Sequence, residues 1–163
     1  KIALESGADK VAINTKAVKD PIFILQSSKI FGSQCIVSSI EAKLIQDKKW
    51  EVYVDNGREP TGKDVIQWSK YVEELGAGEI MLTSIDKEGT KKGFDIELYK
   101  SVSNNVSIPV IASGGMGKSL DAVNLIENSN VDAVASASVL HYKIESINEI
   151  KSTLHNSNIK VRL

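Results

Sequence analysis

Cysteine is nearly missing from this chain of 163 residues: Cys35 stands alone, which excludes a disulfide framework and any cysteine-based metal cluster. Histidine is almost as scarce, and His141 and His155 lack the spacing of metal ligands, so no metal site is expected. Excess charge of one sign is lacking too. Twenty Lys+Arg face 21 Asp+Glu, a net charge of −1, which leaves no general field to attract nucleic acid or an anionic membrane. No apolar run nears the roughly 20 residues of a membrane-spanning helix, and no secretory leader opens the sequence. These absences point to a reduced, soluble, cytoplasmic domain. A methionine is also missing at position 1, where Lys1 starts what reads as a helix over 1–6, so the natural chain is expected to be longer.

What is present is ordinary globular material, 42% hydrophobic and 25% charged. Short β-branched runs at 10–14, 35–40, 79–83, 109–112 and 132–136 are bounded by Gly, Ser, Asn or Asp, and predict strands covered on both faces. Between them lie helical spacings. In 21–31, Ile22, Leu25 and Ile30 share related faces, with Asp20 as N-cap and Pro21 at the first helical position. In 64–75, Val65, Trp68, Val72 and Leu75 form one apolar face that stops at Gly76. Shorter helices are expected at 96–102, 120–126 and 147–154. A weak repeat, Gly7-Ala-Asp-Lys-Val-Ala-Ile13, Gly76-Ala-Gly-Glu-Ile-Met-Leu82 and Asn130-Val-Asp-Ala-Val-Ala-Ser136, suits either a (β/α) barrel or a doubly wound sheet. The segment 43–55 interrupts the plan as a β-hairpin, with Trp50 expected to be exposed. Trp68 and Cys35 are read as core.

The polar residues that follow the strands are the candidates for chemistry, because the carboxyl ends of parallel strands carry the active face. Ser113-Gly114-Gly115 would let backbone N–H groups approach an anion, aided by the start of a helix near Lys118-Ser119. Ala137 and Ser138 would donate in the same way after the last strand. Gly89 and Thr90, in the charged loop 86–93, offer further donors to the same anion, while Asp86 and Glu88 are candidate acid/base groups. Asn14 and Thr15 would form a second anion site at the far end of the strand series. Glu41 closes the second strand at the centre of this face, where partial desolvation would raise its pKa into a useful range.

Taken together, Gly7–Thr15, Phe31-Gly-Ser-Gln34, Gly76-Ala-Gly-Glu-Ile80, Leu82-Thr-Ser-Ile-Asp86 with Glu88-Gly-Thr90, Ile111-Ala-Ser-Gly-Gly115 and Val161-Arg162-Leu163 resemble the cyclase subunits of imidazole glycerol phosphate synthases. These are (β/α)8 barrels of histidine biosynthesis. The resemblance implies a cyclase/lyase reaction, in which ammonia from a partner glutaminase meets a bis-phosphorylated formimino aminoimidazole carboxamide ribonucleotide. The products are imidazole glycerol phosphate and aminoimidazole carboxamide ribonucleotide, with no metal or organic cofactor. It also implies that Asn14 and Thr15 hold one phosphate, and that Gly89, Ser113, Gly114, Gly115, Ala137 and Ser138 hold the other. Thr83 and Ser84 would line the centre with Asp86 and Glu88. Lys10 and Glu79 would ring the opposite end, where ammonia enters.

Two departures follow. Glu41 stands where the family has an aspartate, so its carboxylate reaches one methylene further. The family's other catalytic aspartate ends the first barrel strand, and this chain is expected to begin after the first three strands. It is therefore read as a partial barrel of about five βα units over 1–163, inactive by itself and prone to self-association through its open edges. Two alternatives belong to the same residues: a paralogous ammonia-using subunit of a sugar-amidation pathway, and a non-catalytic phosphate-binding half-barrel that docks a glutaminase.

Overall fold

Strands and helices alternate along the computed structural model, which describes residues 1–162; Leu163, the last residue of the Val161-Arg162-Leu163 motif, lies outside them. The order is α1 (Ile2–Glu5), β1 (Val11–Ile13), α2 (Thr15–Lys19), α3 (Ile22–Phe31), a 3-10 turn (Ser33–Cys35), β2 (Ile36–Gln46), β3 (Lys49–Val54) and β4 (Glu59–Asp64). Then come α4 (Val65–Glu74), β5 (Glu79–Ser84), α5 (Ile96–Ser103), β6 (Val110–Ser113), α6 (Ser119–Asn128), β7 (Ala133–Ala135), α7 (Ser138–His141) and α8 (Ile147–Asn156). Strands β1, β2, β5, β6 and β7 are parallel, and each pairs with the next in that order. A doubly wound sheet reverses its order partway, whereas a barrel sheet grows one way only. Of the two architectures the repeat allowed, the pairing is consistent with the barrel.

Side chains alternate across a strand, and the burial follows that period. Ile36, Ser38, Ile40 and Ala42 of β2, Ile80, Leu82 and Ser84 of β5, and Val110 and Ala112 of β6 are all buried. They pack in one core with Val65, Trp68 and Val72 of α4 and with Leu98, Tyr99 and Val102 of α5. The other parity behaves differently, apart from the buried Val37: Ser39, Glu41, Met81, Thr83, Ile111 and Ser113 are half-buried, and Ala12 and Ala133 are exposed. Parallel sheets are usually covered on both faces. Here the helical side forms the core and the opposite side stays accessible.

Helix α4 shows how the local sequence sets an element. Asp64 accepts from the Gln67 N–H at 2.9 Å, fixing the start, and Val65, Trp68, Ser69 and Val72 bury one face. Helix α8 starts with a reciprocal cap, because the Ser146 N–H donates to Glu149 at 2.7 Å while the Glu149 N–H donates to the Ser146 hydroxyl at 3.3 Å. The Ser146 N–H and the Ser146 hydroxyl, each donating to Glu149 Oε2 at 2.7 Å, hold the exposed Glu149 carboxyl below its ordinary range. In α3 the expected face is corrected: Ile24 is buried while Ile22 and Ile30 are exposed, and Pro21 rather than Asp20 precedes the first turn.

The hairpin is present, but β2 enters it without a break. Its second half pairs antiparallel with β3, and β3 pairs with β4, a strand the sequence did not reveal. Trp50 is 3% exposed, contrary to expectation. Trp50, Val52 and Val54 alternate onto the core side of β3, and the indole N–H donates to Asp95 at 3.2 Å. Cys35 is half-buried in the 3-10 turn and unpaired, packed at the margin of the core.

Candidate active site

Loops after β5, β6 and β7 enclose a cleft of about 30 Å³, lined by Glu88, Gly89, Lys91, Ser113, Gly114, Gly115, Ala137 and Ser138 among others. Steric room explains the paired glycines. Both lie in the left-handed region, at φ +101° and +104°. A Cβ on Gly115 would collide with the Gly93 carbonyl oxygen. One on Gly114 would lie 3.0 Å from the Ser84 carbonyl oxygen and 3.1 Å from Glu88 Oε2. The Gly93 N–H donates to the Gly115 carbonyl at 2.8 Å, fastening the loop after β5 to the loop after β6. Backbone N–H groups of Gly89, Gly114, Gly115, Ala137 and Ser138 find no acceptor among the described residues. Unpaired N–H groups converging on a small cleft form an anion-binding arrangement.

The expected contribution from the start of α6 is corrected. Gly117 and Lys118 donate their N–H groups to Asp121 at 2.8 and 3.0 Å, and the Ser119 N–H donates to Glu145 at 2.7 Å. Two carboxylates already occupy that helix end, so the donors facing the cleft come from the glycine turn and the Ala137-Ser138 turn. Thr90 is likewise engaged within its own loop, its hydroxyl donating to the Lys87 carbonyl at 2.7 Å.

Glu41 does not end its strand; it sits where β2 passes from parallel to antiparallel company, opposite Thr83 on one side and Tyr53 on the other. The register continues from Thr83 to Ser113 and from Ser113 to Ala135. Glu41, Thr83 and Ser113 therefore form one row on the accessible face, spanning roughly 10 Å at normal strand spacing. Glu41 Oε2 accepts from Asn14 Nδ2 at 2.9 Å and from the Gly57 N–H at 2.8 Å. Both bonds fall on one oxygen. A carboxylate steadied through one oxygen keeps the other for proton transfer.

Asn14 and Thr15 stand three strands from the glycine cleft, beside Glu41. Asn14 Nδ2 also donates to the Tyr53 carbonyl at 3.3 Å, and its Oδ1 is buried without a partner. Thr15 Oγ1 accepts from the Asp55 N–H at 3.1 Å. These bonds hold the hairpin loop against the end of β1. At the opposite ends of the strands, Lys10 and Glu79 form an ion pair that crosses over β2.

Other expected site residues separate. Ser84 is fully buried on the helical side and its hydroxyl has no partner. Asp86 is exposed and accepts from the Leu44 N–H at 2.8 Å, bracing the hairpin, so only Glu88 of this acidic pair lines the cleft. Three residues escaped the sequence. Lys91 lines the cleft, with Nζ 4.3 Å from the centre of the Tyr142 ring. Ser136 lines it with a buried hydroxyl that lacks a partner. Tyr99 is fully buried behind it, accepting from the Ser84 N–H at 3.3 Å and donating to the Ser113 carbonyl. Burial holds that phenol above its ordinary range, with the charges of Asp95 and Glu88 adding to the effect. Lys91 looked like part of a solvated charged loop, Ser136 like the end of a strand, and Tyr99 like one more apolar position of α5. Among the described residues no cluster of three or more His, Cys, Asp or Glu side chains could hold a metal.

Comparison with known proteins agrees with the motifs. The family described as histidine biosynthesis protein matches residues 1–146. Three relatives from different strains of Bacillus cereus, each named imidazole glycerol phosphate synthase subunit HisF, are 49% identical over 160 residues. The match covers 98% of this chain and 64% of each relative, so the chain spans a little under two thirds of their length. With its parallel βα units, its glycine cleft and a match over 146 of its residues, the chain belongs to the histidine biosynthesis protein family.

Proposed function

We propose that the chain contributes five consecutive βα units of a (β/α)8 barrel to an imidazole glycerol phosphate synthase cyclase. The observation that carries this reading is the row Glu41–Thr83–Ser113, running from a steadied carboxylate to a cleft with five unpaired backbone N–H groups. A substrate with a phosphate at each end would place one on Gly89, Gly114, Gly115, Ala137 and Ser138. The other would reach Asn14 and Thr15, about 15 Å away at strand spacing. Its reacting centre then lies over Thr83, within reach of Glu41.

In that pose Glu41 moves the protons of ammonia addition and ring closure, with a second carboxylate from the part of the barrel beyond the match acting as its counterpart. The phosphate contacts do not change during the reaction. They hold the substrate so that the acid/base group and the reacting atoms meet in one geometry. The Lys10–Glu79 pair lies at the far ends of the strands, where a glutaminase partner would deliver ammonia.

The test is an assay with ammonium ion and the bis-phosphorylated ribonucleotide, on this chain joined to the segment of a Bacillus cereus relative that it does not match. Turnover is expected, and Glu41→Gln should lower kcat by about 10²- to 10⁴-fold with little change in KM. Undiminished turnover by the Glu41→Gln protein would overturn the assignment.

A further inference from the structure

The ladder between β5 and β6 ends at the pair Thr83–Ser113, and one hydroxyl carries it a step further. Tyr99 reaches out of α5 with its ring inside the core, edge-on to Phe94 at 5.9 Å between ring centres. Its oxygen stands between two backbone groups that no longer meet directly. It accepts from the Ser84 N–H at 3.3 Å and donates to the Ser113 carbonyl. Tyr99 and Ser84 are both fully buried, so the hydroxyl serves the Ser84 N–H from inside the core.

The Ser113 carbonyl belongs to the same planar peptide unit as the Gly114 N–H, and in a trans peptide the two point in opposite directions. Gripping the carbonyl from the core side therefore sets the direction in which the Gly114 N–H faces the cleft. Gly114 has no side chain to fix that orientation by packing, and its φ of +101° is accessible to glycine in more than one turn geometry. A hydrogen bond at the carbonyl also polarises the peptide and makes its N–H a better donor. The same hydroxyl ties β5 to β6 at the point where their loops separate to form the cleft.

We infer that Tyr99 is a positioning residue for anion binding: its hydroxyl, by holding the Ser113 carbonyl and the Ser84 N–H, aims the Gly114 N–H into the cleft. It touches no ligand itself. The inference rests on the phosphate-binding reading of that cleft.

Inorganic phosphate serves as the probe, with the full chain labelled with nitrogen-15. Tyr99→Phe keeps the ring and removes only the hydroxyl. It should weaken phosphate binding by about three- to tenfold, the worth of one hydrogen bond, and shift the Gly114 amide resonance before any phosphate is added. Val102→Ala, a core truncation on the same helix, is the control for a merely structural role. It should lower the melting temperature while leaving phosphate affinity and the Gly114 resonance in place. Equal affinity in the Tyr99→Phe and unaltered chains overturns the inference and leaves the cleft reading standing. Absence of phosphate binding by the unaltered chain overturns both. If the Tyr99→Phe chain does not fold, the unaltered chain decides: phosphate on Gly114 should move the buried Ser84 amide resonance through the shared hydroxyl, and an unmoved Ser84 resonance overturns the inference.

Discussion

Glu88 is the residue whose charge runs against its surroundings. Its carboxylate lines the cleft beside five unpaired N–H groups, and Oε2 lies 3.1 Å from where a Gly114 Cβ would be. A phosphate entering there meets a like charge across a short, partly solvated gap. Glu88→Gln keeps the shape and removes that repulsion. It should tighten inorganic phosphate binding by about three- to tenfold at low salt, with the gain shrinking as ionic strength rises. Isothermal titration at two salt concentrations checks this, and an unchanged affinity would show that Glu88 points away from the anion. At this scale the sequence was most informative where chemistry forces a residue type. Paired glycines signalled a close backbone approach, and Glu41 stands as a carboxylate on the accessible face of the sheet. It was least informative for Tyr99 and Ser136, whose roles depend on which backbone groups lie unpaired nearby. Ser84 shows the same limit, because one step along a strand moves a side chain to the other face.

Strands and helices were legible from periodicity wherever one face meets the core, as in α4, and wherever apolar runs are bounded by turn residues, as in β5 and β6. The hairpin was harder. Strand β4 contains Pro60 and Gly62, both poor strand residues, and forms because β3 offers it an edge to pair with. Trp50 has the composition of a surface hairpin around it, and only the alternation with Val52 and Val54, together with Asp95 as an acceptor, brings it inside. Edges carry a further consequence. Among the described residues, strand β1 pairs only with β2, and β7 only with β6, so each presents a row of backbone groups without a strand partner. The 163-residue chain should therefore self-associate, its weight-average mass rising with concentration in sedimentation equilibrium. A monomer mass across the micromolar range would show that these edges are blocked within the chain itself.

Across the whole molecule, strand order does what no single motif can. Sequential parallel pairing lines up Glu41, Thr83 and Ser113 on one accessible face, with Asn14 at one side of the sheet and the glycine cleft at the other. Lys10 and Glu79, 69 residues apart, meet at the opposite ends of the same strands. The polar edge was expected from residues that follow five strands and the opposite pair from the family resemblance; parallel pairing supplies the reason, because it keeps every carboxyl end on the same side of the sheet. We propose that this rim of carboxyl ends holds phosphate through backbone N–H groups. The most direct test is a two-dimensional NMR titration of the chain with inorganic phosphate. The amide resonances of Gly89, Gly114, Gly115, Ala137 and Ser138 should shift together and saturate with one dissociation constant. Saturable shifts elsewhere on the surface, or none at these five positions, would contradict the account.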